Sequence, residues 1–362
     1  MLIVILISIS CSNRQYIREQ IDQEKTTIVL VHPYLEDIKS IIYFVENNLI
    51  EIPNLEFIGV FYTKGIHDYT KIMTFLEDKK YLYIHLKLID GNLNEAELFK
   101  NNSLSNKFYA LFKGSAGILF FGGYDIQPSI YGQKTNFVTN IITPYRHYFE
   151  LSFLFHLLGG NQNNNFQPYL NEKPNYVIHG YCLGMQTMNV ATGGSLYQNI
   201  PTNVYGLNYV EDVLNLDHDK QHYQYYYSLS AEEEFRINFH RIYFVPAEFF
   251  VKELKCDTIT HPFVRSNHNQ AVMSLGKGFK IAATSMDKKV IEAISHKQYK
   301  NVLGLQFHPE DKRLYAIDEK KYKYTPRDTL SISCHEFLKI NNSLEFHMAY
   351  WKYFSKLFSK IK

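Results

Sequence analysis

A short strand-forming run, Tyr176-Val177-Ile178, leads almost directly into Gly180-Tyr181-Cys182-Leu183-Gly184, and helix-compatible residues follow up to the pair Gly193-Gly194. This stretch constrains the chain more than any other. A cysteine with a glycine two residues to either side, set between a strand and a helix, is the sequence form of a nucleophile elbow. Such a turn holds its central residue in a strained backbone, and the glycines let neighbouring chain approach closely. A thiol placed there sits at a helix N-terminus, where the dipole and free N–H groups favour thiolate. A buried cysteine on a tight strand-to-helix turn gives the same local pattern, because free cysteine is usually buried. Taken alone, the stretch leaves the two readings level.

The flanking sequence supplies the framework. Thr26–His32 is a continuous β-branched run bounded by polar residues and Pro33, so it reads as a buried strand. A helix over 36–47 follows, with Ile38, Ile41, Ile42 and Val45 on one face. The pattern continues as strand over 55–62, helix near 69–76, strand near 81–88, helix near 95–112, strand over 116–121 and helix near 145–158. Strands alternating with helices at this spacing predict a doubly wound, mostly parallel sheet. Beyond the elbow, 239–254 reads as strand, turn and helix, 279–285 and 290–294 as an antiparallel pair, and 302–307 as a strand. The tail, within 340–362, carries Phe346, Tyr350, Phe354, Leu357 and Ile361 at helical spacing. It reads as an amphipathic helix packed on the domain, with a membrane-surface helix as the sharper alternative.

Composition narrows the functional classes. A net charge of +2 over 362 residues gives no general reason to expect nucleic acid as a partner. The four cysteines, Cys11, Cys182, Cys256 and Cys334, have neither disulfide-framework nor zinc-type spacing. His218, His222 and His240 lack a compact ligand spacing and are expected as solvated or hydrogen-bonded surface residues, so no metal and no cofactor is expected. Leu2–Ile9 is apolar, too short to span a bilayer, and suits a signal-peptide core over residues 1–11; the alternative is a buried first strand. Ile7-Ser8-Ile9-Ser10-Cys11 resembles a relaxed lipobox, which makes export, secreted or lipid-anchored at Cys11, the expected localisation.

Two further segments complete a pattern with the elbow. Ala116–Phe121 runs into Gly122-Gly123-Tyr124-Asp125-Ile126-Gln127-Pro128, where a glycine pair lets backbone approach a ligand and turn N–H groups toward it. The strand at 302–307 ends in His308-Pro309-Glu310, and in extended geometry residues i and i+2 share a face, so Glu310 can hold the His308 ring. Each is weak alone. In this order, with Gly180–Gln186, Asn189–Gln198 and Ser266-Asn267-His268-Asn269-Gln270, they resemble the class I glutamine amidotransferase-like fold. Within it the chain looks like the gamma-glutamyl hydrolase family of peptidases, in particular its gamma-glutamyl-GABA hydrolase branch.

The resemblance implies a three-layer, flavodoxin-like α/β domain over 26–362, with the long segment 203–260 as a lid insertion. It implies Cys182 as nucleophile, His308 as general base and then acid, and Glu310 as the orienting carboxylate. Backbone N–H groups near Gly122 and Gly123 and from Leu183 would form the oxyanion hole, with Asp125, Gln186 and His268 beside the substrate. The expected partner is a small gamma-glutamyl compound. Poly-gamma-glutamyl folate, a glutaminase role within an amidotransferase and a non-catalytic surface binding protein are the alternatives. A pocket ending in positive charge would favour the polyglutamate, and a closed small one the amine. Departures from the family pattern at Thr143–Glu150, Leu183 and Asn269 are expected to lie toward the pocket and to bear on the leaving amine.

Overall fold

The apolar runs form twelve strands in a computed structural model that describes residues 16–17, 21–22, 24–65, 69–317 and 319–359. They are β1 (Thr26–Val31), β2 (Leu55–Tyr62), β3 (Ile84–Ile89), β4 (Gly117–Phe120), β5 (Val177–Tyr181), β6 (Ser195–Tyr197), β7 (Asn238–Phe244), β8 (Phe263–Ser266), β9 (Ala271–Ser274), β10 (Phe279–Ser285), β11 (Ile291–His296) and β12 (Val302–Leu305). Ten make one sheet in the order β3-β2-β1-β4-β5-β12-β11-β10-β7-β8, and β6 pairs with β9 separately. From β3 to β12 neighbours run parallel; from β12 to β8 they run antiparallel.

Both faces of the sheet are buried, which is why its parallel strands read as unbroken apolar runs. Along β1, Ile28 and Leu30 enter one core while Val29 and Val31 enter the other. The first core is covered by α1 (Leu35–Glu46), α2 (Tyr69–Lys79) and the C-terminal helix Leu344–Phe358, through Ile38, Phe44, Leu76 and Trp351. The second is covered by α3 (Ser105–Gly114), α4 (Pro144–Leu158) and α5 (Leu183–Ala191), through Phe108, Leu154 and Met185. Each such side chain taken fully out of water contributes about 1.5–3 kcal/mol. The result is the three-layer α/β arrangement that the strand–helix alternation predicts.

Some boundaries differ, for local reasons. The helix expected over 95–112 is broken into a 3-10 turn, Glu95–Glu97, and α3. Asn102 stops it: its Oδ1 accepts the Leu104 N–H at 2.9 Å while its Nδ2 donates to Glu97 O at 3.0 Å and Ser152 Oγ at 2.8 Å. Side-chain bonds of this kind offer the backbone an alternative to helix. The helix expected toward 254 is a single turn, Phe249–Lys252. Within 203–260, β7 is a strand of the main sheet, preceded by short helical turns. Residues 1–11, with Cys11, lie outside the described residues. Cys256 and Cys334 are free thiols, and among the described residues no helix is long and apolar enough to cross a membrane.

Candidate active site

β4, β5 and β12 are consecutive in the sheet and parallel, so Gly122-Gly123, Cys182 and His308, each just past a C-terminal strand end, are carried to one place. Clefts at the carboxyl ends of parallel strands are where open α/β sheets bind ligands. Cys182 has φ 50° and ψ −104°, outside the regions open to an ordinary L-residue. Such strain costs on the order of 1–3 kcal/mol and persists only where the surroundings enforce it. Here the Cys182 N–H donates to Leu305 O at 2.8 Å, and its carbonyl accepts the Gln186 N–H at 3.2 Å. The elbow glycines are needed for close approach. A Cβ on Gly180 would lie 2.6 Å from the Gly184 backbone, and one on Gly184 would lie 2.4 Å from Phe120 O.

His308 Nδ1 lies 2.7 Å from Glu310 Oε1. The turn carrying both is fastened from three sides. The His308 N–H donates to Arg265 O at 3.0 Å, and Pro309 O accepts from the Tyr315 hydroxyl at 2.8 Å and the Trp351 indole at 3.2 Å. A Cβ on Gly122 would fall 3.1 Å from His308 Cε1 and 3.8 Å from Cys182 Cβ, so glycine turn, imidazole and thiol converge. Burial opposes charge on His308, but Glu310 and then Cys182 outweigh it and push the imidazole up to about 10. These two groups thus favour an imidazolium beside the sulfur.

The glycine turn is held from behind by α4. Arg146 donates through Nη2 to Gly122 O at 3.0 Å and through Nε to Glu150 Oε1 at 2.7 Å, and His32 Nδ1 lies 2.9 Å from the same oxygen. Burial raises the Glu150 carboxyl, but Arg146 and His32 overcome it and bring it down to about 2. In a planar trans peptide the carbonyl and the following N–H point opposite ways. Holding Gly122 C=O against Arg146 therefore turns the Gly123 N–H away from the guanidinium. Arg146 and Glu150 are fully buried supports and not pocket residues, which corrects the expectation for the 143–150 segment. The chemical signal for this role was the Arg-Glu pair at i, i+4 on a helix, which sequence alone could not aim.

Not every expected substrate contact lies at the cavity of about 820 Å³ that Cys182, His308, Glu310, Gly122 and Gly123 line. Leu183 packs beside Gly123, and its N–H belongs to the first helical turn, which lacks an acceptor within the helix. Asp125 instead ties its own loop, accepting the Asn140 N–H at 2.7 Å, and Gln186 donates to Gln270 O and Gln306 Oε1 at 3.2 Å each. His268 is buried with Nδ1 2.8 Å from Gln270 O. Asn269 meets the Tyr225 hydroxyl at 3.2 Å, also off the cavity. His222 and His240 were expected at the surface; both are fully buried, with the His222 ring packed against the rings of His240 and His268.

The outer cavity is formed partly by Tyr223, Tyr227, Arg236 and Ile237 from the 203–260 segment. Its charges are mixed and largely matched. Arg265 and Arg313 bind Asp311 at 2.8 and 2.6 Å, Arg236 and Lys320 bind Glu233 at 3.2 and 3.4 Å, and Lys312 binds Glu319. Asp37, half-buried at the wall, is pushed up to about 7 by burial and then by Glu310.

The family described as Peptidase C26 matches residues 100–310, more than half of the chain and all three convergent segments. A protein of Lactococcus lactis subsp. lactis named as glutamine amidotransferase-like is 28% identical over 208 residues, 55% of this chain and 71% of its own length. One of Rickettsia prowazekii is 28% identical over 230 residues, 57% and 74% of the two chains. The solved structure of a glutamine amidotransferase from Thermotoga maritima is 12% identical and covers 92% of this chain and 99% of its own, with a TM-score of 0.40.

Proposed function

Since the chain belongs to the Peptidase C26 family, we propose that it hydrolyses the gamma-glutamyl amide bond of a small gamma-glutamyl compound, with Cys182 as nucleophile. The observation that carries this reading is the strained Cys182 beside an imidazole held by Glu310 at 2.7 Å. The thiolate adds to the gamma-carbonyl, and the oxyanion is met by the Gly123 and Leu183 N–H groups, each donor worth about 3–4 kcal/mol in such sites. The tetrahedral adduct collapses as His308 gives its proton to the departing amine, leaving a gamma-glutamyl thioester. His308, now neutral, takes a proton from water as it attacks; glutamate leaves and the thiolate–imidazolium pair is restored.

The cavity supports a compact zwitterion better than a polyanion. Its size falls within the roughly 300–1,000 Å³ of small-molecule sites. Five of its cations already face carboxylates, so a polyglutamate tail would have to displace internal partners. Glutamine is itself a gamma-glutamyl amide, and the amidotransferase-like names of the relatives make ammonia a second leaving group to test. Purified protein assayed for glutamate release from gamma-glutamyl amines, glutamine and a gamma-linked oligoglutamate decides among these. Release from the amines is expected. Release from no compound, or equal release by Cys182→Ala, would overturn the reading.

A further inference from the structure

Away from the thiol, four segments distant in sequence bring His222, His240, His268 and Glu292 together, with one ligand-type atom from each lying within 4.8 Å of the others. His240 is on β7, His268 follows β8, Glu292 is on β11 and His222 precedes the short helix Tyr225–Ser230. All four are buried, and none lines the catalytic cavity. Glu292 Oε1 is 3.1 Å from His222 Nδ1, 3.6 Å from His240 Nε2 and 3.9 Å from His268 Nε2, yet none of these contacts has hydrogen-bond geometry.

The tautomers sharpen this. His240 Nδ1 lies 3.0 Å from Arg241 O and His268 Nδ1 lies 2.8 Å from Gln270 O, and a carbonyl can only accept, so both Nδ1 atoms carry protons. In the neutral rings the two Nε2 lone pairs then point at a carboxylate. Lone pairs facing a buried carboxylate repel unless a cation lies between them. A single imidazolium in the group would quench Glu292 but still leave three ring nitrogens and a carboxylate oxygen without partners, at about 1–3 kcal/mol for each buried polar atom. A histidine whose Nδ1–H is fixed by a backbone carbonyl and whose Nε2 faces inward is the arrangement of a metal ligand with its outer support.

We propose that His222, His240, His268 and Glu292 form a closed binding site for one divalent transition-metal ion of the zinc class. Three imidazoles and a carboxylate suit zinc and its neighbours and not magnesium or calcium, which take oxygen. Four protein ligands in a buried site with no opening to the cavity make the ion structural. Four ligands about 2.0–2.2 Å from a tetrahedral centre lie about 3.4 Å apart, and the 3.1, 3.6 and 3.9 Å distances from Glu292 bracket that spacing. The ion would pin the wall of the catalytic cavity. Asn267, next to His268, places its carbonyl 4.0 Å from Cys182 Sγ, and His222 O accepts both the His268 N–H and the Ser266 hydroxyl, at 3.1 and 2.6 Å.

The test is elemental analysis of the full chain after incubation with excess zinc and gel filtration, alongside Cys182→Ala, His240→Ala and Glu292→Gln. About one equivalent of zinc per chain is expected in the first two proteins and less than about a tenth in the last two. Cobalt reconstitution of the wild type should give tetrahedral visible bands without a sulfur charge-transfer band. Metal-free wild-type protein after zinc loading would overturn the proposal, since no variant needs to fold for that result. So would zinc retained by both ligand variants and lost with Cys182→Ala. These readouts do not depend on catalysis, so a failed glutamate-release assay leaves them decisive.

Discussion

His308 and the three histidines around Glu292 are all buried, yet the two groups meet their carboxylates in opposite ways. His308 turns Nδ1 to Glu310 in hydrogen-bond geometry and keeps its other edge toward Cys182 and the cavity. His240 and His268 spend Nδ1 on backbone carbonyls and aim Nε2 at Glu292 from beyond hydrogen-bond reach. The titration shifts follow. His308 is pushed up to about 10 because Glu310 and Cys182 overcome its burial. His222 and His268 fall to about 4 and about 3, because burial dominates there. A charged imidazole suits proton transfer, and a neutral one suits a metal ion. What separates His308 from His240 and His268 is whether a carboxylate or a backbone carbonyl holds Nδ1.

The comparison is broken most directly at the thiol. Cys182→Ala is expected to lower glutamate release by about 10⁴–10⁶-fold, as loss of a nucleophile does, while the zinc content measured on the same preparation stays unchanged. A parallel loss of metal would mean that the two groups are one site. Glu310→Gln removes the carboxylate but not the bulk, and should cost about 10²–10⁴-fold in kcat with KM little changed, read from steady-state kinetics.

Next in size is the support behind the glycine turn. Arg146→Met leaves Glu150 without its guanidinium, and breaking a buried pair costs about 3–5 kcal/mol, measurable as a fall in the urea midpoint. A variant as stable as wild type would show that His32 alone satisfies Glu150.

The pH dependence has a definite sign. His308 has a raised folded value, about 10 against about 6.5 for the unfolded ring, so its charged form stabilises fully below pH 6.5 and loses that contribution toward pH 10. The Tm gap between wild type and His308→Gln should narrow over that window; a constant gap would remove the imidazolium from the account. The smallest effect is expected at Trp351→Phe, which deletes the indole bonds to Pro309 O and Tyr315. About 0.5–1.5 kcal/mol should be lost in denaturant unfolding, with a modest drop in kcat.

Much of this protein was legible in one dimension because it is local. The elbow Gly180–Gly184, the glycine turn at 122–123 and the His308-Pro309-Glu310 turn are each set within a few residues, and strand–helix alternation carries the parallel sheet. Parallel strands place their C-terminal ends together whatever the loops between them, so the order of three motifs was enough to assemble a site. The supports were not legible. Nothing near Trp351 in sequence says that it braces Pro309, and Arg146 reads as one more charge on a helix until α4 packs behind β4. The histidines went furthest astray. His222, His240, His268 and Glu292 have no ligand spacing because four separate segments supply them, and only the antiparallel half of the sheet brings those segments together. Chain order thus determined where Cys182 and His308 meet; tertiary packing alone decided which of the buried histidines lines the cavity and which are shut away from it.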